Sequence, residues 1–426
     1  MERLDNSKLS PLQQRILEKM CDSTAQKLAI VGGPGTGKTV LAMSSMERSD
    51  DKKQLMITYS RPLSRMIANC GITCETLCEF CHSIGRTVEK ELGDYLERYI
   101  NDPSPNNALN SVVISEYGYT KEYPWPQFSK LLAAYNRVGE KARQELHYDT
   151  IFVDEGQDLP DEAYSFLEAF ADRLIVTYDE AQEVGFEEAD RSAKLVRKAG
   201  ANCNRILNVL NLQDSFYDLI DNFRNTVAIE RVAKLFYQNY SANRYSLRAV
   251  AQIRPDGSKR EGSKPRVVFS AVTPKLINQI ADRAHQLSRR VGIFIPDMDS
   301  LPDKESFDIA KKLLDQAADA ELLPTEHLFY KFGSNTNMKD SKETNSYGVF
   351  LLTYRTAKGM EFDDVYLIDC QKIDLNTAFQ KNQLYVAATR AKENLTFVFD
   401  CNLQQSFPVL NIIKEHADCF DMQESL

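Results

Sequence analysis

Gly32-Gly33-Pro34-Gly35-Thr36-Gly37-Lys38-Thr39 has the residue types and spacing of a phosphate-binding loop, G-x-x-x-x-G-K-[ST]. Glycines let successive backbone N–H groups crowd a polyphosphate without Cβ clashes. Lys38 is spaced to reach β- and γ-phosphates, and Thr39 to bind Mg²⁺. A mere glycine-rich turn would need neither the lysine nor the threonine, so the chain is expected to bind a nucleoside triphosphate. A second group with chemistry to offer is Asp154-Glu155-Gly156-Gln157-Asp158. There Asp154 is placed to hold Mg²⁺, and Glu155 to orient and deprotonate an attacking water.

These groups work only if particular elements hold them. Leu28-Ala29-Ile30-Val31, just before the glycine loop, reads as a buried strand, and Val40-Leu41-Ala42-Met43, just after it, as the start of a helix. That helix N-terminus adds partial positive charge at the phosphates. Thr150-Ile151-Phe152-Val153 is a continuous apolar, β-rich run and reads as a central parallel strand. Its carboxyl end delivers the acidic loop, and ligand chemistry in open α/β sheets gathers at such ends. An acidic loop alone is usually a solvated surface; one that follows a buried strand downstream of a phosphate loop is a catalytic arrangement.

With that phosphate loop, Asp-Glu-x-Gln-Asp after a strand resembles the superfamily 1 helicases of the UvrD/Rep/PcrA type, and further motifs follow in the family's order. Leu9 to Gln13 resembles the Q motif, in which Gln13 would read the adenine edge. Met56 to Pro62 resembles motif Ia, and Thr76-Leu77-Cys78 motif Ib. Tyr178 to Gln182 resembles motif III, with Gln182 as γ-phosphate sensor. Asn222-Phe223-Arg224-Asn225-Thr226 resembles motif IV, Thr353 to Phe362 motif V, and Tyr385 to Ala391 motif VI. The resemblance spans Leu9 to about Phe399 and implies an α/β fold of two RecA-like lobes with parallel sheets. It implies ATP and Mg²⁺ as ligands, with Gly32 to Val40, Gln13, Phe223 and Glu361 around the nucleotide. Arg224 and Arg390 would be the arginine fingers, so hydrolysis would depend on lobe closure. Tyr59, Ser60, Arg61, Thr76, Thr356 and Lys358 would meet nucleic acid.

Departures from the family pattern bear on particular functions. Val40 stands where an arginine often sandwiches the adenine, and Phe223 where tyrosine is usual. Motif III continues Glu183-Val184-Gly185-Phe186-Glu187-Glu188-Ala189, without the arginine that engages single strands. ATPase chemistry is thus expected to be intact and the DNA-tracking surface altered.

The chain of 426 residues is long enough for two or three domains. It has no long uncharged apolar run of membrane-spanning length, and Met1 to Asp5 lacks a signal peptide's apolar core. A cytoplasmic protein with no membrane partner is expected. A net charge of −9 argues against a broad basic DNA-coating surface but permits a narrow single-strand groove. Two basic segments, Arg191 to Lys198 and Arg254 to Arg266, read first as solvated surface and second as phosphate contacts. Nine cysteines suit no disulfide scaffold. Cys74, Cys78 and Cys81 have the spacing of a radical-SAM cluster, yet their segment reads as a helix packed beside the sheet, where free cysteine is a common small buried residue.

The first lobe is expected over 1–212, with strands at Leu28–Val31, Leu55–Thr58, Ile151–Val153 and Leu174–Thr177 and a short 1B-like insert over about 87–147. Trp125 in that insert reads as a packed loop anchor, with base stacking the alternative. The second lobe, over 213–426, is expected to alternate helices with strands at Val267–Phe269, Val291–Ile295, Val349–Leu352, Val365–Ile368 and Leu395–Phe399. The polar stretch Ser334 to Lys342 stands where the family inserts its large 2B domain, which is expected to be essentially absent. Residues 418–426 read as a frayed end. The functional expectation is an ATP-dependent translocase or helicase on single-stranded or tailed DNA, 3′-to-5′ by resemblance. The rival is a nucleic-acid-sensing ATPase subunit that regulates a partner effector, as in a Gabija-type antiphage system; self-association or a protein partner fits either.

Overall fold

The computed structural model describes residues 9–51, 53–58, 61–92, 128–179, 205–212, 216–236, 260–298, 301–332, 335–336, 347–354, 356–376 and 378–423. Among these the chain is α/β, built on two sheets flanked by helices. This is the architecture of two RecA-like lobes.

The first sheet contains β1 (Lys27–Gly32), β2 (Gln54–Thr58), β3 (Cys74–Thr76), β4 (Tyr148–Val153), β5 (Ala171–Tyr178) and β6 (Tyr217–Leu219). Its order is β3-β2-β4-β5-β1-β6, and every pairing is parallel. The central strands are apolar on both faces because helices cover both. One core gathers around Phe80, Phe166 and Phe170. The other gathers around Ile16, Leu41 and Ile67. The helix Pro11–Cys21 starts where Ser10 and Gln13 cap each other reciprocally with proline at its first position. The helix Lys38–Arg48 starts at Gly37, which is left-handed at φ 87° and so needs a glycine.

The second sheet holds β7 (Arg266–Phe269), β8 (Arg290–Ile295), then β11 (Leu328–Phe332), β12 (Asn335–Thr336), β13 (Gly348–Thr353), β14 (Phe362–Leu367), β15 (Ala391–Phe399) and β16 (Asp421–Gln423). A separate antiparallel pair, β9 (Asp297–Met298) and β10 (Leu301–Pro302), lies beyond β8. The large sheet is ordered β12-β11-β13-β8-β14-β15-β7-β16 and is parallel apart from β12. Its helices Pro274–Gln286 and Lys304–Asp319 begin at Thr273 and Asp303, whose side chains each accept a backbone N–H of the first turn.

The structure moves four sequence expectations. The first sheet draws a strand from beyond residue 212, because β6 at Tyr217–Leu219 pairs with β1; three residues of mixed polarity carry no readable strand pattern. The tail is not frayed throughout, because Asp421–Gln423 pairs in parallel with β7. Just before the polar stretch, Leu328–Phe332 forms β11, paired with β13, a strand missing from the expected set. Cys74 sits on a strand, while Cys78 and Cys81 lie on the helix Leu77–Leu92. Burial pushes the Cys74 thiol up to about 12 and raises Cys81 as well. Among the described residues no three His, Cys, Asp or Glu side chains are grouped to hold a metal.

The described ends of the 87–147 insert belong to the first lobe's own core. The helix Leu77–Leu92 runs through residue 87, and Phe128, Leu131 and Tyr135 pack with Phe166 and Phe170. Trp125 and the basic run Arg191 to Lys198 lie outside the described residues, as do Arg254 to Lys259. So does the stretch Ser334 to Lys342, apart from β12. Residues 337–347 connect β12 to β13. No helix among the described residues is long and apolar enough to cross a membrane.

Candidate functional site

The carboxyl ends of β1, β4 and β5 converge at the position where the strand order switches. The loop after β1 is shaped as a polyphosphate cradle. A Cβ on Gly32 would lie 2.5 Å from Thr36 Oγ1, and one on Gly37 would lie 2.7 Å from Gln13 Nε2. Gln13 donates to the Thr36 carbonyl at 3.0 Å, so the Q-motif residue braces the loop directly. Thr36 Oγ1 donates to the Gly33 carbonyl at 2.9 Å. Lys38 Nζ is buried and donates to the carbonyls of Gly32 at 2.7 Å and Gly33 at 3.0 Å. A buried cation whose hydrogen bonds in this loop go to neutral carbonyls is suited to receive anionic oxygens.

Asp154, at the end of β4, accepts from Thr39 Oγ1 at 2.6 Å and from Thr177 Oγ1 at 2.6 Å. Burial and the neighbouring Glu155 charge raise its carboxyl above the usual range. A hydroxyl and a buried carboxylate in contact form a hard oxygen pair that fits Mg²⁺, which prefers one or two protein oxygens beside phosphate ligands. Glu155 follows with a left-handed backbone, φ 56°. Non-glycine residues pay for that conformation, and it turns the carboxylate out of the strand line. Gln157 Nε2 donates to Glu155 Oε2 at 2.5 Å, while Gln157 Oε1 accepts the Asp179 N–H at 3.0 Å. Burial alone would raise Glu155, but Lys358, Lys38 and Arg390 outweigh it and hold the carboxyl at about 2. It is therefore ionised.

The second lobe faces this site with the amino ends of β14 and β15, which begin just after Glu361 and Arg390. Arg224 Nε donates to Glu361 Oε1 at 2.9 Å, and Nη2 to the same oxygen at 2.5 Å. Burial opposes ionisation of Glu361, but Arg224 and Lys392 outweigh it and hold the group near 2. Arg390 is 1% exposed, and its Nε donates to the Val386 carbonyl at 3.0 Å. Burial and the nearby Arg224 charge lower its pKa well below the guanidinium norm. The lobes touch at the cradle itself, because the Phe223 N–H donates to the Gly35 carbonyl at 2.8 Å. A Cβ on Gly35 would lie 2.4 Å from Asn222 Oδ1 and 2.5 Å from Arg224 Cβ, so only glycine permits this approach. Pro34 is buried in the loop and Val40 half-buried on the helix.

Lys358 is placed otherwise than the sequence suggests. Expected at nucleic acid, it is buried between lobes, 2.5 Å from Asp158 Oδ2 and 3.8 Å from Glu155 Oε2. Nearby Gly359, at φ 79°, brings its backbone to Leu63 of the first lobe. Thr76 and Thr356 are also engaged internally. Thr76 Oγ1 donates to Glu79 at 2.9 Å, and Thr356 Oγ1 accepts the Thr353 N–H at 2.9 Å. Tyr59, Ser60 and Gln182 lie outside the described residues, as does the acidic stretch Glu183 to Ala189, and of Arg61 only the backbone is described. Asn222, Asn225, Gln157 and Thr177 also build the site, with no role legible in the motifs. Each acts through a partner distant in sequence or through the backbone, which residue type and spacing do not reveal.

The Lys358–Asp158 pair carries an expected result. Both side chains are at most 4% exposed. Removing one partner of such a pair strands a buried charge and costs about 3–5 kcal/mol, whereas removing both costs far less. Lys358→Met should therefore lower the thermal unfolding midpoint markedly, and the double variant with Asp158→Asn should recover most of the loss. Equal midpoints for Lys358→Met and wild type would show that the bridge contributes nothing.

Two protein families match the chain. An AAA domain covers residues 13–187, and a UvrD-like helicase C-terminal domain covers residues 208–401. The two matches, in this order along one chain, support a UvrD-like helicase. Among curated proteins none matches the chain. Among solved structures, it is similar to the crystal structure of the C-terminal domain of a possible DNA helicase from Lactobacillus plantarum WCFS1, at 19% identity. That similarity covers 47% of this chain and 99% of the other, with a TM-score of 0.32.

Proposed function

We propose that this UvrD-like chain is an ATP-dependent nucleic-acid translocase that hydrolyses ATP between its two lobes and works on single-stranded or tailed DNA with 3′-to-5′ polarity. One observation carries the reading. Lys38, Thr39, Asp154 and Glu155 of the first lobe and Arg224, Glu361 and Arg390 of the second meet at a single interface. Such a division makes turnover depend on how the lobes sit, which is how a motor couples chemistry to movement. The glycine loop and Lys38 bind the β- and γ-phosphates. Glu155 orients the attacking water and takes its proton. Arg224 and Arg390 offset charge on the transferring phosphoryl group. Thr39 and Asp154 would hold Mg²⁺, which would supply charge neutralisation at the phosphates. Gln182 is assigned to sensing the γ-phosphate, and Gln13, Phe223 and Val40 to the base. Tyr59, Ser60, Arg61, Thr76 and Thr356 are assigned to the strand.

A second reading is a DNA-sensing ATPase subunit that regulates a partner effector such as a nuclease, in a bacterial defence complex of the Gabija type. The short 337–347 connection favours it, as does the net charge of −9, since fewer cations near the track weaken the grip. The two readings part in a strand-separation assay on a tailed duplex, using protein shown to be monomeric at the assay concentration. The expected result is ATP turnover with little unwinding by the lone chain, and unwinding restored by self-association or a partner. Rapid, processive unwinding by the monomer would eliminate the second reading.

A further inference from the structure

Asn222 and Asn225 lie in the turn before the helix Val227–Leu235, at 1% and 0% exposure. The Asn225 amide nitrogen donates to the carbonyl of Thr389 at 3.0 Å and to that of Ala391 at 2.6 Å. Those carbonyls stand on either side of Arg390. The Asn225 oxygen accepts from Asn222 Nδ2 at 3.0 Å. The Asn222 oxygen in turn accepts the backbone N–H groups of Arg224 at 3.0 Å and Asn225 at 3.2 Å. The same turn docks on the phosphate loop through Phe223 N–H and the Gly35 carbonyl. A neutral, buried pair of amides thus ties the backbones of both arginines together.

The site has a physical reason to need such a clip. Arg224 and Arg390 are like charges, and Arg224 lies close enough to disfavour the charged form of Arg390, so nothing in their own interaction holds them together. A side-chain amide can give two hydrogen bonds and receive others, which fits two carbonyls on one side and a donor on the other. A carboxylate has no donor, and a serine hydroxyl has only one. At zero exposure no water can replace a missing bond.

We propose that Asn225, seated by Asn222, is a positioning residue that fixes Arg390 in register with Arg224, so that both guanidinium groups meet the transferring phosphate together. The inference rests on the ATPase reading above.

The test compares single-turnover ATP hydrolysis by the full chain with and without Asn225→Asp, in wild-type and Arg390→Ala backgrounds. Binding of a fluorescent ATP analogue and thermal unfolding are measured beside it. A misplaced catalytic group costs up to about 10²-fold in rate, so Asn225→Asp should slow hydrolysis by roughly 10- to 10²-fold with analogue affinity within about threefold of wild type. In the Arg390→Ala background it should add less than about a twofold loss, since residues acting as one unit are not additive. A loss of the same size in both backgrounds would mean a general structural role and overturn the proposal. Should Asn225→Asp fail to fold, Asn225→Ser replaces it in the same comparison. Active wild type with unaffected variants overturns this inference alone, whereas wild type that hydrolyses no ATP overturns the ATPase reading and this inference with it.

Discussion

Lys38→Ala should leave both sheets intact and reduce ATP turnover by about 10²- to 10³-fold, the loss expected when one preorganised donor is removed from a developing charge. Among the described residues, Lys38 hydrogen-bonds to loop carbonyls at 2.7 and 3.0 Å. Its side chain folds back on the loop and is not a member of either apolar core of the first lobe, so its removal trims the cradle and spares the strands beneath. The measurement is steady-state hydrolysis beside circular dichroism and thermal unfolding. Turnover near the wild-type rate in a folded Lys38→Ala protein would remove the nucleotide site from the account.

Glu155→Gln should behave differently. It preserves shape and hydrogen-bonding reach but removes the proton acceptor, so nucleotide should still bind while hydrolysis falls by about 10²- to 10⁴-fold. The surroundings make the separation clean. Glu155 receives the Gln157 amide at 2.5 Å and faces Lys358 at 3.8 Å. The substitution therefore perturbs two named contacts, while the Lys358–Asp158 bridge at 2.5 Å remains. Equilibrium binding of a slowly hydrolysed analogue, set beside single-turnover hydrolysis, reads the two effects apart. Lost binding with proportionate loss of turnover would contradict the role given to Glu155.

These groups could be read from the sequence because a buried parallel strand is a continuous apolar run and its ligand loop follows at once. Leu28 to Val31 with Lys38, and Ile151 to Val153 with Glu155, are both of that kind. The strands β3, β6 and β16 were not legible. Cys-Glu-Thr, Tyr-Asp-Leu and Asp-Met-Gln have no alternation to detect, and each exists because an edge of the sheet accepts it. The inter-lobe contacts were less legible still. Lys358 and Asp158 stand 200 residues apart, and Asn225 and Thr389 stand 164 apart. A lysine in a motif reads as a cation free to meet phosphate, and nothing local says that a carboxylate from the other lobe has claimed it. Arg224 and Glu361 were each singled out by family resemblance, but their mutual ion pair is a fact of the fold alone.

In the proposed function, nucleic acid and ATP act through one pair of lobes. The most direct measurement is ATP hydrolysis by the purified full chain, with Mg²⁺ and saturating ATP, titrated separately with single-stranded, double-stranded and forked DNA and with RNA. Turnover should rise severalfold and saturably with single-stranded or forked DNA, and Glu155→Gln should abolish it. Hydrolysis that is absent, or present but indifferent to every nucleic acid, would contradict that function.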